Sequence, residues 1–139
     1  MIGGMVRKLT FDARGIQREV ARKERRVLMR FGAFTMRRMR QLIRKRKRPA
    51  AEGKPPSSHA GTLKQFIRFA YEALTGSVVI GPMLLSGKVG DAPAALEGGG
   101  PSEMLVAGRR KTIDIDAHPF AEPAFQAELP GVPDMWARL

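Results

Sequence analysis

The sequence predicts an α+β protein: a long basic N-terminal helix, a small antiparallel sheet built from two hairpins, and a short C-terminal helix. Two observations lead there. Apolar residues recur at helical spacing between Asp12 and Lys47, and β-rich segments bounded by turn residues follow from residue 67 onward. The order helix, strands, helix belongs to an α+β arrangement. The chain of 139 residues suits one domain, 1–139, and is too short for two.

The first element is expected from about Asp12 to Lys47, within a basic region 1–48. Ile16, Val20, Val27, Phe31, Phe34 and Leu42 form its apolar stripe. Thr10 or Asp12 can cap its start, and Glu19 with Lys23 makes a favourably ordered i,i+4 pair. Arg44 to Arg48 would lie where the helix dipole favours cations, with Pro49 as the stop. Such a helix would be about 54 Å long at 1.5 Å per residue, so it should project from the body or bend near Gly32.

Residues 49–61 read as a loop from their Pro, Gly and Ser content, and 62–139 as the body. Leu63, Phe66, Ile67, Ala70, Tyr71 and Leu74 fit a helix, whereas Ile67, Phe69 and Tyr71 alternate as in a strand. The favoured reading is a helical turn at 62–66 and a strand at 67–72, because Ala73 to Gly76 can turn into the β segment Ser77 to Pro82. Gly, Pro and Ala dominate 86–101, with one helical turn over Ala92 to Leu96. A second hairpin is expected from Met104-Leu105-Val106 through Gly108-Arg109-Arg110 to Thr112 to Ile115. Helical segments at 120–128 and 132–138 finish the chain.

Charge is lopsided. Residues 1–48 hold 17 Lys and Arg against Asp12, Glu19 and Glu24, a net of +14, while 49–139 carry −2. That balance predicts attraction to polyanions or to an acidic protein. The absence of Cys excludes disulfides, thiolate metal sites and a Cys nucleophile. The N-terminus lacks the apolar run of a secretory signal, although its Arg-rich character is shared with organellar transit peptides. The longest mostly apolar stretch, Val78 to Leu85, is well short of the ~20 residues that cross a bilayer, and no membrane role is expected.

Catalytic chemistry needs convergent titratable groups. His59 and His118 both stand beside loop residues and outside any metal-ligand spacing. Asp114 and Asp116 would share a strand face, as a cation pair or simply as a polar edge. Gly98-Gly99-Gly100 lacks the Lys and Ser or Thr of a phosphate-binding loop. The chain is therefore expected not to be an enzyme and to need no cofactor. The candidate binding residues are Arg37, Arg38, Arg40, Arg44, Lys45, Arg46, Lys47 and Arg48. They could neutralise DNA phosphates or meet an acidic protein, and the sequence weighs the two equally. No base-reading motif or interleaved aromatic accompanies them.

Three islands, in order, resemble a family. They are Pro55-Pro56-Ser57-Ser58-His59-Ala60-Gly61-Thr62-Leu63-Lys64-Gln65-Phe66-Ile67 running into Phe69-Ala70-Tyr71 and Ser77-Val78-Val79-Ile80-Gly81-Pro82; Ala95-Leu96-Glu97-Gly98-Gly99; and Ala117-His118-Pro119-Phe120-Ala121-Glu122-Pro123-Ala124-Phe125. Together they look like the small tail-completion and head–tail joining (neck) proteins of long-tailed bacteriophages and prophages. Gly61 and Leu63 match that family's hairpin start, Leu96, Glu97 and Gly98 its central motif, and Pro119, Phe120, Pro123 and Ala124 its terminal signature. His118 stands where the family usually has Arg, and Lys64 takes an Arg-like position. The resemblance covers about 50–128.

The resemblance implies a structural virion protein of the neck or tail, made in the bacterial host cytoplasm. It also implies a hexameric or other cyclic homo-oligomer that meets connector and tail-tube or tail-terminator proteins. Glu97 would be either a helix-end residue or an intersubunit contact. Phe120 could bury its ring under the last helix, with Pro123 as a first-turn proline. Plain maintenance of the fold is the competing account of all these positions.

Overall fold

The computed structural model describes residues 12–59, 61–83 and 92–139. Residues 1–11, Thr10 among them, Ala60 and residues 84–91, the first part of the Gly, Pro and Ala stretch, lie outside the described residues.

The architecture is α+β, and one helix organises it. Helix α1 spans Ala13–Leu42, about 45 Å at 1.5 Å per residue. Its start is fixed by Asp12, whose Oδ1 accepts the Gly15 N–H at 2.9 Å. Val27, Phe31, Thr35 and Met39, four residues apart, are buried along one face, and Ile43 continues the row just past the helix end. Such a spacing keeps one stripe against the body. Of the expected stripe, Val27 and Phe31 are buried and Leu42 is partly so, but Ile16 and Val20 are about half exposed and Phe34 is also exposed. The described body covers the helix only from about Arg25 onward, so its first turns project.

The helix ends earlier than Lys47. Ile43 is already extended and fully buried, and Arg44–Lys45 forms a two-residue strand, β1, parallel to β2, Ser57–Ser58. Five consecutive cations continued at helical spacing would repel one another at i,i+3 and i,i+4, and burying Ile43 redirects the chain. Arg44 to Arg48 therefore do not complement a helix terminus, and Pro49 stops nothing. The 49–61 loop is correspondingly tied down at Ser57–Ser58. Glu19 pairs with Arg22 at 2.7 Å, an i,i+3 contact, where the i,i+4 partner Lys23 was expected. Gly32 marks a close approach inside an unbroken helix: a Cβ there would stand 2.7 Å from Phe69 Cδ2 and 2.8 Å from Val78 Cγ2.

Helix α2, Thr62–Phe66, runs into β3, Ile67–Glu72, which pairs antiparallel with β4, Ser77–Pro82, from Ile67↔Pro82 to Glu72↔Ser77. The helical turn and hairpin lie where the sequence put them. Ile67, Phe69 and Tyr71 turn toward the interior while Arg68, Ala70 and Glu72 face out, as a half-buried strand requires. Helix α3, Ala92–Gly98, precedes the second hairpin, β5 (Gly100–Val106) with β6 (Arg109–Ile115). Its turn is Ala107–Gly108, both with positive φ, so Arg109 and Arg110 belong to the strand and not to the turn. The two hairpins do not join: each is a separate two-stranded ladder.

Helix α4, Ala121–Glu128, and helix α5, Val132–Ala137, joined by a 3-10 turn, close the fold. Two apolar clusters hang on α1. One gathers Met39, Ile43, Ile67, Phe120 and Ala124, the other Val27, Phe31 and Met135. Phe31 and Phe125 meet edge to face at 5.5 Å. No described helix is long and apolar enough to cross a membrane.

Candidate functional site

Two places carry the residues singled out by sequence. The first is a junction between α3 and α4. Phe120, the residue before α4, is fully buried and has no side chain able to cap the helix. The cap arrives from elsewhere. Glu97, at the end of α3, accepts the N–H groups of Phe120 and Ala121 on Oε2, at 2.9 and 3.0 Å, and that of Glu122 on Oε1 at 2.8 Å. A carboxylate there satisfies three otherwise orphaned donors and meets the positive end of the helix dipole. Gly99, just past α3, takes positive φ and lies so close to Ala117 that a Cβ would be 3.2 Å from its nitrogen.

The chain between these elements is stitched on both sides. The His118 N–H donates to the Leu96 carbonyl at 2.6 Å, and His118 Nδ1–H donates to the Lys54 carbonyl at 2.9 Å. The Gly53 N–H donates to the Ala117 carbonyl at 2.8 Å. Leu63, Ile67, Leu96, Phe120 and Ala124 then share one apolar cluster. Residues drawn from all three islands thus converge on a single centre.

That convergence decides how several of them act. Phe120 and Ala124 are buried within the chain, so their side chains hold this protomer together and cannot reach a neighbouring subunit. Glu97 acts as a helix-capping residue, its two oxygens together accepting three backbone N–H groups. Leu63, Leu96 and Pro119 are half-buried; Gly61, with positive φ, precedes α2, and its N–H donates to Ser58 Oγ at 2.9 Å. Gly98 and Pro123 are exposed, Pro123 within the first turn of α4.

The second place is the basic set, which the fold divides. Arg38 forms an ion pair with Glu128 of α4. Arg40 Nη2 donates to the Ile67 carbonyl at 2.7 Å, pinning β3 to α1. Arg37 lies over the Phe34 ring at 5.9 Å. Arg38 and Arg40 are therefore used inside the protomer. Arg44, Lys45, Arg46, Lys47 and Arg48 are exposed, the first two in β1 and the rest just past it, and none has an ion-pair partner among the described residues.

His59 is exposed and His118 serves the stitch just described. Asp114 is exposed on β6, and Asp116 is exposed beyond the strand end. No group of three or more such side chains able to hold a metal ion occurs among the described residues. The sequence had no signal for the exposed basic arm of α1, Arg14 to Lys23, as separate from the rest of the helix; only packing distinguishes it.

The fold and these two places define a small α+β protein organised on one basic helix, with a non-locally capped C-terminal helix pair. Comparison with protein families, with curated proteins and with solved structures finds no match.

Proposed function

We propose that this chain is a structural virion protein of a tailed phage, a ring-forming neck or tail-completion component that joins head connector to tail. It acts through its surfaces and catalyses nothing. The observation that carries the reading is the convergence of the three sequence islands. Segments around residues 63–67, 96–97 and 118–124 resemble one family in order and spacing, and these same segments build the common centre around Phe120. A shared architecture would require such segments to pack on one centre, and that is what supports the reading. Cyclic closure suits head-to-tail contacts between small subunits. The partners are further copies of this chain, the connector, and tail-tube or tail-terminator proteins; the sites of action are the host cytoplasm and then the virion.

The test is reconstitution. Purified protein mixed with phage connector and tail proteins should form rings visible by electron microscopy and should join heads to tails. Monomers that leave both particles unjoined would overturn the reading.

A second reading, a non-specific DNA-binding protein, is favoured by the exposed and unpaired Arg44 to Arg48. The two differ in salt response. DNA affinity held by phosphate contacts falls steeply with salt, whereas a ring held by apolar and β contacts survives the same range.

A further inference from the structure

The turn that ends α1 folds the basic segment back over the loop that follows, and the two line an open cavity of about 400 Å³. That is within the roughly 300–1,000 Å³ typical of ligand sites. Its charged lining is Arg44, Arg46 and Lys54, with Gln41 and Ser57 adding neutral polar groups and no carboxylate among the lining residues.

The cations are held from both sides. Arg44 is paired with Ser57 in the β1–β2 ladder. Lys54 is fixed through its backbone, because its carbonyl accepts from His118 and the neighbouring Gly53 N–H donates to Ala117. The carbonyl end of α1 nearby contributes only about half a negative charge, against three full positive ones, so the cavity remains strongly cationic.

We infer that this cavity binds the backbone phosphates of a nucleic-acid strand, without reading sequence. A site with guanidinium and ammonium groups and no acid favours a phosphate oxygen strongly, and Arg is suited to bidentate phosphate contact. Arg44, Arg46 and Lys54 are exposed at its mouth, within reach of the phosphates of one strand. No aromatic side chain lines it, so bases have nothing to stack on and discrimination between them is not expected. The inference does not depend on the virion reading; it gives nucleic-acid contact a definite place, off the helix and away from Arg37, Arg38 and Arg40.

The experiment uses the full chain and a short fluorescent oligodeoxythymidylate. The combined variant Arg44→Gln, Arg46→Gln, Lys54→Gln should bind about tenfold or more weakly, and its slope of log affinity against log salt should shrink by about 2, as expected for three lost contacts to a single strand. The variant Arg109→Gln, Arg110→Gln, Lys111→Gln removes equal charge from the other hairpin and should bind nearly as the parent does. Equal losses in the two variants would mean that net charge alone attracts the strand, and would overturn the site even if DNA binding itself stood.

So would tighter cavity-dependent binding of polyglutamate or of phosphatidylglycerol vesicles. Side-chain Nε–H resonances of Arg44 and Arg46 in the unaltered protein give a check independent of the variants. They should move on titration with the oligonucleotide; shifts confined to Arg14 through Arg30 would also sink the inference.

Discussion

Glu97 shows how a residue can carry a fold from a distance. The segment leading into α4 has no Ser, Thr, Asp or Asn at its cap position, and the missing acceptor comes from α3. Removing it with Glu97→Ala should cost about 2–3 kcal/mol, since charge-assisted bonds to helix N–H groups exceed neutral ones. Glu97→Gln should cost nearly as much, because its amide would set an N–H donor against a backbone donor; urea denaturation of both variants measures this. Sequence alone left Glu97 between a helix end and an intersubunit contact, since a cap this remote has no local pattern. Gly32 was similarly half legible. Glycine in a helix signals either a bend or a close neighbour, and only the facing hairpin tells which. Gly32→Ala gains about 1 kcal/mol of helix propensity but forces Phe69 and Val78 apart, at a typical overpacking cost of 1–3 kcal/mol. The net should be a lowered melting temperature.

Among the elements, the hairpin β3–β4 was readable because turn chemistry and alternation agreed over the same residues. The end of α1 was not, since five basic residues are good helix formers singly and poor ones in a row. Thr35 and Met39 were overlooked as interior residues, although they complete the four-residue spacing from Val27 to Ile43.

The second hairpin offers a simple test. Ala107 holds a positive φ of 50°, a conformation costing an ordinary residue about 1–2 kcal/mol and Asn much less. Ala107→Asn should therefore slow amide exchange throughout β5 and β6. The arm of α1 predicts a pH response. A hydrogen bond from Arg22 holds the Glu19 carboxyl below its usual 4.5. The sign follows: a depressed folded pKa supports the helix above the unfolded value, and that support is lost as pH falls below 4.5 through the folded one. Because the pair is solvent-exposed, the effect should be small and local. Acidification should loosen amides near Glu19 without needing global unfolding, and Glu19→Gln should abolish the response.

The molecule as a whole is one helix with two unequal anchors. Phe120→Ala empties the larger cluster, where α2, β3, α3 and α4 also meet, and should cost about 3–5 kcal/mol. Met135→Ala touches only the smaller cluster beneath α5 and should cost about 2 kcal/mol, near the low end for Met. Equal losses on denaturation would contradict that division. The general fold class was legible because it depends on the order of periodic segments; the separation of the hairpins and the split of the apolar stripe into two anchors depend on which surfaces touch, and composition does not record that.

The length of α1 has one more consequence. Its arm and the extended cations after Leu42 stand at opposite ends of a rod about 45 Å long, while mobile ions at physiological strength damp a charge's influence within about 8 Å. The two poles therefore cannot feel one another through solvent. Neutralising one should leave the ionic attraction of the other untouched, so any polyanion drawn to one end would be drawn there independently of the other.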